Sequence, residues 1–124
     1  MNKELTRSEE QVMHILWDLK TAFIKDIVEQ FDPPRPAYTT VSTMVRILEK
    51  KGFVGHRAYG KTHEYFPRVA KKAYTRHLVK SLMSNYFNDS FRQMVSFFSR
   101  EKGLSVAELE EIKHLLEEEI SQKA

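Results

Sequence analysis

Apolar residues recur with helical spacing in two stretches near the start of the chain. The first predicted helix covers residues 7–18 and begins with Thr6 and Glu9, which have the spacing of a capping box. Its apolar face consists of Val12, Ile15, Leu16 and Leu19. The second predicted helix ends before "DPPRP" (Asp32–Pro36), because proline lacks an amide donor and disfavours helix in the preceding residue. Its apolar face consists of Ile24, Ile27, Val28 and Phe31.

A third stretch, "AYTTVSTMVRILEKKGF" at residues 37–53, combines a helical apolar stripe with an unusual polar face. The stripe consists of Val41, Met44, Val45 and Leu48. Serine and threonine are mediocre helix formers, so an ordinary solvated face would carry Glu, Lys, Gln or Ala. Here the polar face consists of Thr39, Ser42, Thr43, Arg46 and Lys50. Glu49 is the single acidic residue of the stretch, and Gly52 predicts the end of the helix.

The pattern then changes from helix to strand. The stretch "FVGHRAYGKTHEYFP" is rich in residues that favour β-structure and contains Gly60 near its centre. It predicts a β-hairpin with strands near residues 53–58 and 62–66, a turn at Tyr59–Lys61, and Pro67 at the end of the second strand.

Helical spacing returns at about Ala70 and predicts three further helices. In the middle one, "NDSFRQMVSFFSREKG", either Asn88 or Asp89 is predicted to cap the start and Gly103 the end. The last one opens with a second capping box, Ser105 and Glu108.

This order of elements predicts a mainly α protein. Three helices and a hairpin predict a winged helix-turn-helix domain with a two-stranded wing at residues 1–69. Residues 70–124 are predicted to be a helical dimerisation domain, because a monomer rarely exposes so large an apolar surface. The residues assigned to the dimer interface are Leu78, Leu82, Phe87, Phe91, Met94, Phe97, Phe98, Leu109, Ile112, Leu116 and Ile120.

Charge is distributed unevenly along the chain, although the total is only +3. Residues 35–72 hold nine Lys or Arg and two acids, whereas residues 1–34 hold four Lys or Arg and seven acids. Residues 101–124 are again acidic, with three basic and seven acidic side chains. Clustered positive charge on the third helix and the hairpin is typical of a protein that binds a polyanion.

Double-stranded DNA is therefore the predicted partner of the third helix. Short hydroxyls let a helix approach closely and bond to phosphates or base edges, and Arg46 can reach phosphate or guanine. The predicted helix contacts are Tyr38, Thr39, Thr40, Ser42, Thr43, Arg46 and Lys50. The hairpin residues assigned to the DNA backbone or minor groove are Arg57, Tyr59, Lys61 and His63.

Several other classes of function lack a sequence signal. The chain has no cysteine, which excludes disulfides and thiolate metal sites, and neither a catalytic site nor a cofactor is predicted. No run of about 18 apolar residues occurs, so no membrane insertion is expected. The start "MNKELTRSEE" has no apolar segment behind its charges, which favours a cytoplasmic protein.

Three stretches resemble the penicillinase-repressor family, which includes the methicillin-resistance and copper-transport repressors. They are "LTRSEEQVMHILW", "TTVSTMVRILEKKGFVGHRAYGKTHEYFP" and the ending "EKGLS…ELEEIKHLL". The resemblance implies a bacterial homodimeric repressor whose winged-helix domains bind the two halves of a palindromic operator. It also implies that the C-terminal helices form the dimer.

In antibiotic-responsive members of that family, a membrane-bound metalloprotease sensor leads to cleavage within the dimerisation region. The resemblance therefore implies a sensor protease as a further partner, and derepression by an antibiotic or stress signal. The corresponding stretch, "QMVSFFSREKG", lacks the Asn–Phe pair of the staphylococcal branch. The C-terminal cysteine motif of copper-responsive members is absent as well.

Two alternatives stay open at this point. A winged helix can also bind proteins without nucleic acid. A histidine-based metal-responsive regulator is the other alternative, because His56 and His63 are expected to face each other across the hairpin, with His77 further along the chain.

Overall fold

The computed structural model describes residues 4–101 and 103–124. The helices are α1 (Arg7–Leu19), α2 (Ile24–Glu29), α3 (Tyr38–Lys50), α4 (Lys71–Tyr86), α5 (Phe91–Glu101) and α6 (Val106–Lys123), and the strands are β1 (Val54–Tyr59) and β2 (Thr62–Pro67). The prediction of a mainly α protein with a two-stranded hairpin is confirmed. The chain separates into two compact units, Met1–Leu78 and Val79–Ala124, with the boundary inside α4. The functional division at residue 69 stays a prediction.

The core of the first unit forms where α1, α2 and α3 bring their apolar faces together. Side chains with no exposed surface come from all three helices and from the residue before β1: Val12, Met13, Leu16, Ile27, Val41, Val45, Leu48 and Phe53. The predicted capping box of α1 is present, since the Thr6 hydroxyl accepts the Glu9 amide at 3.2 Å and Glu9 accepts the Thr6 amide at 2.9 Å. With Val41, Val45 and Leu48 in the core, the apolar stripe of α3 packs against α1 and α2, as the sequence predicted.

The wing, defined as the β1–β2 hairpin, is attached to the helices by its second strand. Tyr59 pairs with Thr62, so Gly60 and Lys61 form the turn, and Gly60 has a φ of 63°. Tyr65 of β2 also pairs with Ala22, through backbone bonds of 2.7 and 2.9 Å. The predicted hairpin is confirmed, with strands that end one residue later than expected.

The first half of α4 belongs to the winged-helix unit through Tyr74, which is buried. Its hydroxyl accepts the Leu5 amide at 3.0 Å, and its ring lies 5.6 Å from that of Phe53. Trp17 supports the same region by donating from its indole nitrogen to the Val69 carbonyl at 2.8 Å. Leu78, which the sequence assigned to the dimer interface, packs against this core.

The second unit contains the rest of α4 together with α5 and α6. The predicted capping box of α6 is present, and the bond from the Ser105 amide lowers the pKa of Glu108. The prediction that Asn88 or Asp89 caps α5 is wrong. Both residues have left-handed backbone, with φ of 52° and 58°, and the Ser90 hydroxyl accepts the Gln93 amide instead.

Candidate nucleic-acid interface

The polar face of α3 points away from the protein interior. Val41, Val45 and Leu48 have no exposed surface. Thr39, Thr43 and Arg46 are exposed on the other side of the same helix, as are Thr40 and Lys50, while Ser42 is half-buried. Opposite faces of one helix thus meet the core and the solvent, which is the arrangement that the sequence predicted for these residues. Their role in DNA binding stays a prediction.

Two of these side chains are already bonded to their own helix. The Thr43 hydroxyl donates to the Thr39 carbonyl at 2.9 Å, and the Arg46 guanidinium donates to the Ser42 hydroxyl at 3.2 Å. Such back-bonding uses the donor of the Thr43 hydroxyl within its own helix. Among the described residues, the hydroxyls of Thr39 and Thr40 have no such bond to their own helix.

The start of α3 offers backbone amides to an anion. Ala37 occupies the N-cap position and has no side chain able to accept a hydrogen bond from the first turn. The first amides of a helix have no partner within it and carry partial positive charge. Tyr38 and Thr40, both exposed, flank this end as the sequence predicted. A phosphate oxygen is a suitable partner for such amides.

The four predicted wing residues do not share one surface. Side chains alternate across a strand, and Arg57 pairs with Glu64 whereas Ala58 pairs with His63. Arg57 and Tyr59 therefore lie on one face, called here the outer face, and His63 lies on the opposite, inner face. Lys61 sits in the turn between them. All four residues are exposed and flank the turn, and their contact with DNA stays a prediction.

Tyr59 also contacts the body of the unit. Its ring lies 6.3 Å from the ring of Phe23, and its hydroxyl donates to Glu64 at 3.5 Å. The Tyr59 side chain is nevertheless 55% exposed, so much of it remains accessible to a ligand.

The inner face of the wing is joined to α3 by a carboxylate and two imidazoles. Glu49 Oε2 lies 2.5 Å from His56 Nδ1, and the His56 and His63 rings stack at 4.2 Å with an angle of 11°. Tyr65 lies beside them, and burial, then the negative charge of Glu49, raise the pKa of its hydroxyl. The expected facing of His56 and His63 is confirmed. Sequence reasoning missed the partner of His56, for which the solitary acid of α3 was the available signal.

These groups line a groove between α2, α3 and the wing. Its lining includes both basic and acidic side chains: Lys25, Asp26, Arg46, Glu49 and Lys61. Across residues 4–101 and 103–124, no cluster of three His, Asp or Glu side chains has the arrangement of a metal site. His77 lies apart from the histidine pair and packs beside Tyr74, at 6.4 Å between rings.

Comparison with known proteins places the whole arrangement in a family. The family described as "Penicillinase repressor" matches residues 5–118. This chain belongs to the penicillinase-repressor family. The match includes α1–α3, the wing, α4, α5 and most of α6. Members of this family are DNA-binding transcriptional repressors rather than enzymes, so the expectation that the chain has no catalytic role agrees with its family.

Relatives within the family share about a quarter of their residues with this chain. The methicillin resistance regulatory protein MecI of Mammaliicoccus sciuri is 27% identical over 114 residues, covering 91% of this chain and 93% of that protein. The penicillinase repressor of Bacillus licheniformis is 24% identical over 121 residues, covering 97% and 94%. A match to a solved structure of Bordetella bronchiseptica BpsR covers 97% of this chain and 78% of the BpsR chain, with 20% sequence identity and a TM-score of 0.46.

The helices also bear on the expected absence of a membrane segment. Among the described residues, none of the helices combines the length and the apolar character needed to cross a bilayer.

Proposed function

We propose that this penicillinase-repressor family member acts as a homodimeric repressor on a palindromic DNA operator, with α3 of each copy in a major groove. The observation that carries this proposal is the division of α3 into two faces. Val41, Val45 and Leu48 fasten the helix to the core, and the polar face of α3 is left outside. A helix held by one face can enter a groove with the other.

The chemistry of the exposed face suits a duplex. Thr39 and Thr40 offer hydroxyls near the uncapped start of the helix, where phosphate oxygens are favoured. The Thr43 methyl can touch a thymine methyl, and Arg46 can make a bidentate contact with guanine. Lys50, one turn beyond Arg46, adds a contact to phosphate. Lys61 lies in the turn at the tip of the wing, from which it would reach the adjoining backbone or minor groove.

The second unit supplies the argument for a dimer. From residue 79 to residue 124, no described side chain is fully buried. Large apolar side chains on α5 remain open to solvent, with Phe91 at 58% and Phe97 at 49% exposed. A unit of this size without an interior gains too little from packing to be stable alone. A second copy of the same unit would cover these surfaces and bring two-fold symmetry to the DNA.

The interface proposed for that dimer follows the sequence prediction, with one change. Leu78 already packs in the first unit, so it contributes less than expected. The remaining residues are exposed or half-buried: Leu82, Phe87, Phe91, Met94, Phe97, Phe98, Leu109, Ile112, Leu116 and Ile120.

The experiment that tests the proposal is selection of bound sequences from a pool of random duplexes. We expect a two-fold palindrome whose half-sites are one helical turn, about 10 base pairs, apart or a multiple of that. Affinity for the recovered duplex should fall steeply as salt is raised, because phosphate contacts release counterions. Recovery of no enriched sequence, or affinity that is flat in salt, would favour the protein-binding alternative.

Derepression by an antibiotic or stress signal belongs to the same proposal. Its support is the family membership and the name of the MecI relative, a methicillin resistance regulatory protein. The stretch "QMVSFFSREKG", most of which lies in α5, would be the region acted on by a membrane-bound sensor protease. Intact-mass measurement of the protein from cells treated with a β-lactam tests this step. A chain of unchanged mass together with restored transcription would exclude proteolysis.

A further inference from the structure

The outer face of the wing carries two arginines that converge on one aromatic ring. The guanidinium carbon of Arg57 lies 5.6 Å from the centre of the Phe66 ring, and that of Arg68 lies 5.8 Å from it. Both distances are within the range of cation–π contacts. Both arginines are exposed, and Phe66 is half-buried. Only Arg57 was singled out from the sequence.

The backbone around this pair accommodates the contact. Gly55 pairs with Phe66 across the ladder. A Cβ atom on Gly55 would lie 2.4 Å from the Arg68 Nε atom and 2.9 Å from the Phe66 ring, which is closer than real contacts allow. Arg68 is also held by its own amide, which donates to the Phe53 carbonyl at 2.7 Å. Because Gly55 has no side chain, the Arg68 side chain can lie against β1 at this position.

The two guanidinium groups have no acidic partner within the described chain. The ion pairs found among residues 4–101 and 103–124 involve Glu9, Glu49 and Glu118, and none includes Arg57 or Arg68. Glu64 is the acid nearest in the ladder, opposite Arg57, and its carboxylate accepts the Tyr59 hydroxyl. Each guanidinium group thus lies near the Phe66 ring without an acidic partner among the described residues, which favours an anion as its ligand.

We propose that Arg57 and Arg68, positioned by Phe66, form a clamp for the sugar-phosphate backbone of DNA outside the segment that α3 reads. The inference rests on the proposed function and adds Arg68, Phe66 and Gly55 to its interface. DNA is the favoured occupant for two reasons. Arg57 belongs to the hairpin whose turn holds Lys61, and residues 35–72 carry nine basic residues against two acids. Guanidinium groups bind phosphate bidentately, which suits a backbone contact.

The clamp faces away from α3, so its contact is with phosphates beyond the half-site centre. Such a contact carries no base readout, because every sequence offers the same phosphates. It therefore strengthens binding to the operator and to unrelated duplexes by the same factor. A residue that reads bases would instead strengthen binding to the operator more than binding to unrelated duplexes.

The test measures binding of the full-length protein to the selected palindrome and to an unrelated duplex over a range of salt. Arg68→Ala should weaken both by the same factor, roughly three- to tenfold, and lower the salt slope by about 1 per half-site. Phe66→Leu should weaken both while leaving the slope unchanged, because the charges stay but are no longer held in place. Phosphate ethylation interference should lose its outermost positions with Arg68→Ala and keep the central ones.

Arg7→Ala is the matched control, since Arg7 is an exposed arginine at the start of α1. It should alter neither affinity nor slope, and thermal unfolding should show that every variant is folded. Wild-type affinity and slope in Arg68→Ala would overturn the clamp and leave the repressor proposal intact. Failure of the wild-type protein to bind any duplex would instead overturn both.

Discussion

Glu49 of α3 contacts His56 of the wing, with 2.5 Å between Oε2 and Nδ1. This contact joins the two elements proposed to bind DNA, and it explains the single acid in a stretch otherwise suited to phosphate. Both side chains are about one-third exposed, at 31% and 32%. The carboxylate thus serves the arrangement of the interface, although its charge opposes DNA.

Glu49→Ala is predicted to weaken DNA binding even though it removes a negative charge. Loss of the contact removes the side-chain bond between the wing and α3, and a hydrogen bond to a charged group contributes about 1–2 kcal/mol, or roughly five- to thirtyfold. Glu64→Ala is the control, because it removes the same charge from the outer face of the wing. Fluorescence anisotropy should show weaker binding for the first variant and equal or tighter binding for the second. Tighter binding by both would mean that only the charge matters.

Arg46→Ala is predicted to lower affinity for the selected operator by about 1–3 kcal/mol, because Arg46 is the longest side chain on the outward side of α3. The loss on an unrelated duplex should be smaller. The comparison is made by titration of both duplexes at one salt concentration, with Arg7→Ala as a charge-matched control. Equal losses on the two duplexes would show that Arg46 contacts phosphate alone.

Phe98→Glu is predicted to convert the proposed dimer to a monomer. Phe98 is an apolar side chain of α5 that is 39% exposed, and in the proposed dimer a second copy covers it, so a carboxylate there would be buried. Ser96→Glu adds the same charge to an exposed position on the other side of α5 and should leave the dimer intact. Sedimentation velocity measures both. A wild-type protein that sediments as a monomer, or a dimeric Phe98→Glu variant, contradicts the prediction.

Lys51→Met is predicted to destabilise the fold by about 2 kcal/mol. Lys51 Nζ lies 2.7 and 2.9 Å from the two oxygens of Glu9, and this carboxylate is only 7% exposed. Removal of the lysine therefore leaves a buried negative charge without its partner. Urea unfolding gives the change, and Lys50→Met, one residue away and exposed, should have an effect below about 0.5 kcal/mol.

The Glu9 carboxylate is also expected to account for part of the acid sensitivity of the protein. Burial by itself raises the pKa of Glu9, but the bonds from Lys51 and from the Thr6 amide outweigh it, so the pKa lies below its ordinary value of 4.5. A lowered pKa contributes stability above the unfolded-state pKa, and that contribution is lost as pH falls through the folded-state pKa. Glu9→Gln should therefore differ most from wild type near neutral pH and converge with it only as pH falls below 4.5 and through the folded-state pKa.

Urea midpoints across this range test the pH prediction. Glu10→Gln provides a neighbouring control and should run parallel to wild type at every pH. A constant difference between Glu9→Gln and wild type would show that the charge of Glu9 is not what stabilises the fold.

Local signals in the sequence were enough to predict most of the fold. The capping boxes at Thr6 and Ser105 join residues three apart, and the stripe of α3 repeats every turn, so both are visible without a tertiary structure. The α5 cap was misassigned because Asn88, Asp89 and Ser90 are all suitable capping residues. The backbone path of the preceding turn selects among them, and composition does not reveal that path.

In the candidate site, too, some features followed from local sequence patterns and others required the tertiary structure. Periodicity placed Thr39, Thr43 and Arg46 opposite the buried stripe, because the face of a single helix follows from spacing alone. Strand register decided that Arg57 and His63 lie on opposite faces of the wing, since a shift of one residue would exchange the faces. Contacts between elements, such as Lys51 with Glu9 across 42 residues, depend on packing that no local pattern encodes. The sequence by itself therefore determined the helices and their faces, whereas the tertiary structure decided which charged groups meet.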